Sequence, residues 1–185
     1  MLPIDILDVI LQEEGGFDLT RADSGNWTGG AVGRGELRGT KWGISAAAYP
    51  TLDIEALTKA DAQAIYDRDY WQPLDEGAMP RPLALIVFDA AVNNGVWHAV
   101  RWLQESVGAN VDGVMGPLTI AATTHTIAAT GWQPLAIEFM AQRLVGMAAL
   151  PTWRVFGLGW ARRLSGLPYA AMALQIPAGG LPASS

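Results

Sequence analysis

The sequence predicts an all-α protein with one small irregular wing. Apolar residues recur at helical spacing over most of the chain after residue 58, and glycine or proline marks the ends of these segments. Residues 17–40, by contrast, are glycine-rich and show almost no periodicity. Half of the 185 residues are hydrophobic and only 16% are charged, so the chain can bury one well-formed core, in one or two lobes.

The first predicted element is a short amphipathic helix within residues 4–16. Leu7, Ile10 and Leu11 form an apolar stripe along one face of this helix. Glu14 lies seven, four and three positions after these residues, and therefore projects into that face. Gly15 and Gly16 end the helix. Partial burial and the negative end of the helix dipole would both raise the pKa of a carboxyl group there, as a general acid requires. The alternative is an ordinary solvated glutamate.

The remaining elements follow from local signals. Residues 17–40 are predicted to form a long loop that holds a small hairpin. Thr58 and Asp61 resemble a capping box, which would open a helix running to about Trp71. Pro82 is placed to begin an apolar helix that Gly95 ends. Further helices are predicted over residues 97–107, 118–129, 133–149 and 152–173. After the last of them comes a tail, 176–185, with the composition of disorder.

Composition excludes several classes of function. The net charge of −6 argues against a nucleic-acid partner, which requires a basic face. There is no cysteine, so neither disulfides nor thiol chemistry can occur. The longest apolar run, Leu83–Val92, is too short to span a bilayer, so stable membrane insertion is not expected. No signal-peptide pattern is seen at the N-terminus, which predicts synthesis in the cytoplasm.

Several short motifs, in order along the chain, resemble those of glycoside hydrolase family 108, the EGG-motif peptidoglycan muramidases found among phage endolysins and holin-coupled secretion enzymes. They are Glu14–Phe17 (EGGF), Thr40–Ile44 (TKWGI), Ile65–Trp71 (IYDRDYW), Phe88–Gly95 (FDAAVNNG), and Leu103–Gln104 followed by Val111–Thr119 (VDGVMGPLT). The resemblance implies a lysozyme-like, two-lobed domain. Its catalytic lobe would cover residues 1–81 and a helical peptidoglycan-binding lobe residues 82–175, before the tail 176–185.

The resemblance also implies catalytic roles. Glu14 directly precedes the two glycines and would be the general acid, whereas Glu13 fits this position less well. Asp23 follows nine residues later, as in the Glu-x8-Asp-x5-Thr triad of phage-type lysozymes, and would be the base or stabiliser; its alternative is an Asx turn before Ser24-Gly25. The third member is ambiguous. Thr28 comes within one residue of this spacing, and Thr40 fits the context and is preferred, with Gly29–Gly39 as a local insertion.

Substrate contacts are predicted at three places. Asp89 and Asn93 lie four residues apart, so they share a helix face. Together with Asn94 they would line the cleft floor, the equally weighted alternative being a buried polar pair. Tyr66, Tyr70 and Trp71 could stack on pyranose rings, although aromatic residues at helical spacing are more often part of a core. Trp42 is expected to face the cleft, because it lies beside Thr40 on the irregular wing.

The sequence predicts neither a metal-binding site nor a functional basic surface. His98 and His125 are far apart in sequence, and the 112–119 segment lacks the acidic ligands of an EF-hand, so it is predicted to be a tight turn between helices. The C-terminal arginines are interpreted as solvated helix faces; they are Arg143, Arg154, Arg162 and Arg163.

Taken together, these residues predict an endolysin-type N-acetylmuramidase that hydrolyses the MurNAc-β-1,4-GlcNAc bond of peptidoglycan. No metal and no cofactor are implied. The expected partners are glycan strands, and the protein is expected to be a monomer that reaches the periplasmic wall after holin-type release. Two alternatives are a lytic transglycosylase, which would tolerate loss of Asp23, and a non-catalytic peptidoglycan-binding module, which would tolerate Glu14→Gln.

Overall fold

A computed structural model of the chain describes residues 1–11, 16–74, 77 and 79–174. The chain divides into two compact units, an N-terminal unit, Met1–Asp69, and a C-terminal unit that begins at Tyr70. Helices dominate the described residues, and strands are confined to a small antiparallel pair, which confirms the predicted all-α class with a minor hairpin wing. The predicted catalytic and binding roles of residues 1–81 and 82–175 stay predictions, and the tail 176–185 lies outside the described residues.

The N-terminal unit contains helices α1 (Ile4–Leu11) and α2 (Lys59–Tyr66) and strands β1 (Thr40–Lys41) and β2 (Ile44–Ser45). The predicted apolar stripe of α1 is buried, as its spacing requires. The predicted capping box at the start of α2 is confirmed. Thr58 Oγ1 accepts the Asp61 amide at 3.2 Å, and the Asp61 carboxylate accepts the Thr58 amide at 2.9 Å.

The chain leaves the N-terminal unit through a π-helical turn, Asp67–Trp71, and a 3-10 turn, Gln72–Leu74. The C-terminal unit then contains five helices within its described part: α3 (Arg81–Asn94), α4 (Val96–Val107), α5 (Pro117–Thr130), α6 (Trp132–Ala148) and α7 (Trp153–Ala173). Helix α3 is apolar all round and is the buried centre, packed against α4, α6 and α7. No helix among the described residues has both the length and the hydrophobicity needed to cross a membrane.

The segment between α4 and α5 is a tight turn, as predicted. Gln104, which is fully buried, organises it from α4. Its Oε1 accepts the backbone amides of Asp112 and Gly113 at 3.0 and 2.8 Å, and its Nε2 donates to Asp112 Oδ1 at 2.7 Å and Thr119 Oγ1 at 2.9 Å. One amide side chain thus satisfies buried polar groups from both ends of the turn.

The turn between β1 and β2 demands glycine at position 43. Trp42 and Gly43 both have positive φ, +54° and +73°, as in a two-residue type I′ hairpin. In addition, a Cβ atom at residue 43 would overlap the hydroxyl oxygen of Tyr66. This hydroxyl donates a 3.2 Å hydrogen bond to the Trp42 carbonyl, so it is not free to move away.

We expect Gly43→Ala to destabilise the N-terminal unit by about 2 kcal/mol or more, because strain in the left-handed region alone costs about 1–2 kcal/mol. Urea unfolding followed by circular dichroism would measure the change. Gly30→Ala is the matched control, since Gly30 has φ of +68° with open space around its Cβ position. Equal losses in the two variants would show that the Tyr66 contact adds nothing.

Candidate functional site

The irregular wing, residues 17–40, ends at the β1–β2 hairpin. It brings the backbone of Asp23 and the side chain of Thr40, two of the predicted catalytic residues, into one hydrogen-bonded cluster. Asp18 pairs with Thr40 through two backbone hydrogen bonds of 2.8 and 2.9 Å, and Thr40 pairs in turn with Ser45 across the β1–β2 hairpin. A second small hairpin, closed by the pair Trp27–Leu37, extends from the same segment. The predicted glycine-rich hairpin is therefore confirmed. It projects outward and leaves Thr40 beside Asp18.

Asn26 is the centre of this cluster, and its side chain is fully buried. Its Nδ2 donates to Asp18 Oδ2 at 2.7 Å and to the Thr20 carbonyl at 3.1 Å, and its Oδ1 accepts the Thr40 hydroxyl at 2.7 Å. The backbone amide of Asn26 also donates to the Asp23 carbonyl at 3.3 Å. Asn26 thus connects the backbone of Asp23, not its carboxylate, to the Thr40 hydroxyl. Sequence analysis missed it, because nothing local distinguishes this asparagine from an ordinary turn residue.

Asp18 fixes the orientation of the Asn26 amide. Hydrogen bonds from the Thr20 side chain, and next from Asn26, lower the pKa of Asp18. Asp18 is therefore ionised at neutral pH and can only accept hydrogen bonds. This places the Nδ2 group of Asn26 toward Asp18 and its Oδ1 toward Thr40. The Thr40 hydroxyl hence donates its hydrogen bond to Asn26 and keeps its lone pairs to accept a hydrogen bond from a water or a sugar hydroxyl.

Asp23 is exposed and caps the 3-10 turn Ser24–Asn26. Its Oδ1 accepts the Gly25 amide at 2.8 Å, which is the Asx turn that the sequence offered as the alternative. This bond occupies one carboxylate oxygen and orients the other. The Asx turn is compatible with a catalytic carboxylate, and the role of base or stabiliser stays a prediction.

The two candidate threonines occupy different settings. Thr40 is half-buried in the Asn26 cluster, whereas Thr28 lies in the outer hairpin. The Thr28 hydroxyl accepts the Glu36 amide at 2.9 Å and so stabilises that hairpin. The Thr40 hydroxyl therefore belongs to the Asn26 cluster and the Thr28 hydroxyl to the outer hairpin, and the preference for Thr40 as the catalytic threonine stays a prediction.

Glu14, the predicted general acid, and Glu13 beside it lie outside the described residues. Helix α1 is described to Leu11, and the chain is described again from Gly16, two residues before Asp18.

The predicted aromatic residues differ in setting. Trp42 is half-buried at the tip of the β1–β2 hairpin, and its indole nitrogen donates to the Leu57 carbonyl at 3.3 Å. This bond fixes the ring in the N-terminal unit. Tyr70 is half-buried in the π-helical turn. Their predicted stacking on sugars stays a prediction.

Asp89 is enclosed in the C-terminal unit, where it forms a double ion pair. The side chain is 1% exposed, and its two oxygens accept from Arg143 Nη1 at 2.7 Å and from Arg163 Nη2 at 2.6 Å. Its burial agrees with the alternative to substrate contact, a buried polar pair that caps neighbouring backbone, but its partners are two distant arginines that the sequence did not predict. The interpretation of Arg143 as a solvated residue is wrong, because it too is 1% exposed. Its sequence signal was weak, since no acidic partner lies near it along the chain.

Asn93 and Asn94 lie at the end of α3 and border a cavity of about 380 Å³. Asn93 Nδ2 donates to the Asp89 carbonyl at 2.8 Å, and Asn94 Oδ1 accepts from Arg143 Nε at 3.0 Å. Of the predicted C-terminal site residues, these two asparagines therefore border a cavity. Asp89 is not part of its lining, but its carbonyl accepts from Asn93 and its carboxylate binds the Arg143 side chain that donates to Asn94. The described part of the chain holds no group of three histidine or acidic side chains that could bind a metal ion.

We expect Thr40→Val to lower the rate of glycan cleavage on the order of a hundredfold, a loss typical of a misplaced reacting group. Thr28→Val should leave the rate nearly unchanged and cost about 1 kcal/mol of stability for one lost hydrogen bond. Thr40→Ser, which keeps the hydroxyl, should retain most of the activity. Turbidity loss of purified sacculi measures all three rates, and a larger effect at Thr28 would reverse the assignment.

Comparison with known proteins agrees with these features. Residues 7–95 match the model of a family described as Glycosyl hydrolase 108. Among solved structures, that of Brucella abortus SagA superposes with a TM-score of 0.76 at 26% sequence identity, covering 96% of this chain and 97% of that one. No protein among those with curated annotation matches the sequence.

Proposed function

We propose that the protein is an N-acetylmuramidase, a peptidoglycan-degrading glycoside hydrolase of the lysozyme-like kind. The match of residues 7–95 to the family model described as Glycosyl hydrolase 108 supports this proposal. The proposed reaction is hydrolysis of the MurNAc-β-1,4-GlcNAc bond. Within the described residues, the observation that best supports it is the connection of Asp23 to Thr40 through the buried Asn26.

The proposed mechanism divides the work among three residues. The Glu14 carboxylic acid gives its proton to the glycosidic oxygen, and the bond from that oxygen to the muramic C1 breaks. Thr40 accepts a hydrogen bond from a water, which Asp23 deprotonates as the water oxygen bonds to C1. Asp23 then loses this proton to solvent and the Glu14 carboxylate takes one up from solvent, which restores both groups for the next turnover. Each turnover consumes one water and inverts the configuration at C1.

A lytic transglycosylase is the second candidate, and the Asx turn of Asp23 favours it because that carboxylate already accepts a backbone hydrogen bond. In this reaction the 6-hydroxyl of the muramic residue attacks C1 and no water is consumed. Glu14 would give its proton to the glycosidic oxygen and then take the proton that the 6-hydroxyl loses, while Asp23 would have only a structural role in the wing.

Digestion of Gram-negative sacculi in H₂¹⁸O, followed by mass analysis of the soluble muropeptides, distinguishes the two reactions. The muramidase proposal expects reducing muramic ends that carry ¹⁸O, with the α-anomer formed first by NMR. Anhydro ends without ¹⁸O would establish the transglycosylase instead. Fragments with a reducing N-acetylglucosamine end would overturn both candidates, because another bond would then have been cut.

We further propose an endolysin-type role at the wall, where peptidoglycan lies, with the protein acting as a monomer after holin-type release. Expression in a Gram-negative host should lyse cells only when a holin is expressed with it. Lysis without a holin would overturn the release step.

A further inference from the structure

The cavity that Asn93 and Asn94 border lies wholly within the C-terminal unit. Helix α4 forms one wall and the second half of α6 forms another. The floor is apolar and includes Trp102 and Met147, which are both buried, whereas the rim is polar. A Cβ atom on Gly146 would crowd the Trp102 ring, so this glycine allows α6 to approach the indole.

Arg101 presents an oriented but largely unused guanidinium at the rim. Its central carbon lies 4.5 Å from the centroid of the Trp97 ring, within cation–π range. Its Nε is buried and has no hydrogen-bond partner among the described residues. The nearest carboxylate, Glu105, is 3.9 Å away, which is beyond hydrogen-bond distance. The buried Nε is closed to solvent, so the donors that a ligand can reach are the Nη groups, which lie on a side chain that is 38% exposed.

The Trp97 ring that orients Arg101 is itself fixed. Gly113, in the turn that Gln104 organises, packs so closely on this indole that a side chain there would overlap it. His98 stands edge-on to the same ring, with centroids 4.9 Å apart. The guanidinium therefore stacks on a rigid platform, which lowers the entropy cost of binding through it.

Two further polar groups at the cavity are also oriented. His98 Nδ1 lies 3.0 Å from the Asn94 carbonyl, so Nδ1 carries the hydrogen and Nε2 is left for another partner. Asn94 Oδ1 accepts from Arg143, which leaves the Asn94 Nδ2 group as a donor. Since Arg143 is held by Asp89, the buried ion pair acts as a positioning device for this amide.

The pattern of charges indicates the ligand. A planar guanidinium with unused donors, next to an amide donor, matches the geometry of a carboxylate. The Glu105 carboxylate adds a negative charge beside Arg101 and disfavours phosphate or other dianions. It suits a ligand in which an amine or amide donor accompanies the carboxylate, as at the end of a peptide.

We propose that this cavity binds the free carboxylate of a peptidoglycan stem peptide, with Arg101 as its main donor and Asn94 as a second. The assignment of the peptide to peptidoglycan rests on the proposed function. The same carboxylate chemistry occurs on the lactyl group of muramic acid in glycans that have lost their peptides, so the test must separate these two sources.

Isothermal titration of the full chain with three soluble disaccharides makes this separation. None of them contains the bond that a muramidase cuts. The first carries a tetrapeptide with free carboxylates, the second carries the same peptide with its carboxylates converted to carboxamides, and the third has only the lactyl carboxylate. We expect the first to bind at least tenfold more tightly than the other two. Tightest binding of the third would overturn the peptide assignment.

Arg101→Gln should weaken binding of the free-carboxylate peptide about tenfold or more, as expected for loss of a charged hydrogen bond. Arg101→Lys should restore only part of it, because the forked geometry is lost. Arg154→Gln is the matched control, since Arg154 is exposed on α7 in the same unit. Equal affinities for wild type, Arg101→Gln and Arg154→Gln, or no binding by the wild type, would overturn the proposal.

Cleavage of sacculi by the same preparations keeps the two proposals apart. A wild type that cleaves sacculi but binds independently of Arg101 would overturn the cavity assignment alone. A wild type that binds the peptide through Arg101 but releases no fragments would overturn the muramidase proposal alone.

Discussion

Glu14→Gln should lower the rate of reducing-end release from peptidoglycan by about a thousandfold, within the range of general acid catalysis. The amide is nearly isosteric with the carboxylic acid but cannot deliver a proton to the glycosidic oxygen. The expected loss is therefore in kcat, with little change in binding of sacculi or in thermal stability. Labelled muropeptide release, together with a pull-down on sacculi, would measure both.

Glu13→Gln provides a control one position away along the chain. It should cleave sacculi at close to the wild-type rate. If Glu13→Gln were the inactive variant, the acid would have been assigned to the wrong residue. If both variants cleaved normally, the reaction could not depend on either carboxyl group. Asp23→Asn adds the third comparison, because the hydrolase needs this carboxylate and the transglycosylase does not.

Asp89→Ala should destabilise the protein by about 3–5 kcal/mol, the usual cost of breaking a buried ion pair from one side. Arg143 would be left charged and buried without its partner. Burial already lowers the pKa of Arg143, and the negative charge of Asp89 is the main opposing influence. With about 2–4 °C per kcal/mol for a chain of this size, the melting temperature should fall by roughly 6–20 °C.

Two variants test this explanation. The double substitution Asp89→Leu with Arg143→Met should recover much of the lost stability, because well-packed apolar residues often replace a buried pair without cost. Glu138→Ala removes an exposed acid from α6 and should leave the melting temperature unchanged. A stable Asp89→Ala variant that had lost glycan binding would contradict the structural role and restore the predicted substrate contact.

Local signals sufficed for most of the helical architecture. The Thr58 capping box, the helix end marked by Gly95 and the helix end at Val107 were all predicted at the right residues. Each depends on groups within four residues along the chain, so its energetics are contained in the sequence window itself. The EGGF and TKWGI motifs likewise indicated the family, because they are contiguous.

Long-range partners were decided only by the tertiary structure. Asp89 meets Arg143 from 54 positions away, and Asn26 joins Asp18 to Thr40 across 22 residues of chain. No periodicity encodes such pairs, since a side chain's partner depends on how distant segments pack. The sequence by itself determined the helices, the wing and the family motifs. Burial and the packing of α3, α4, α6 and α7 decided that Asp89 is an ion-pair partner and that Arg101 borders a cavity, because desolvation and unmet hydrogen bonds exist only once the chain is folded.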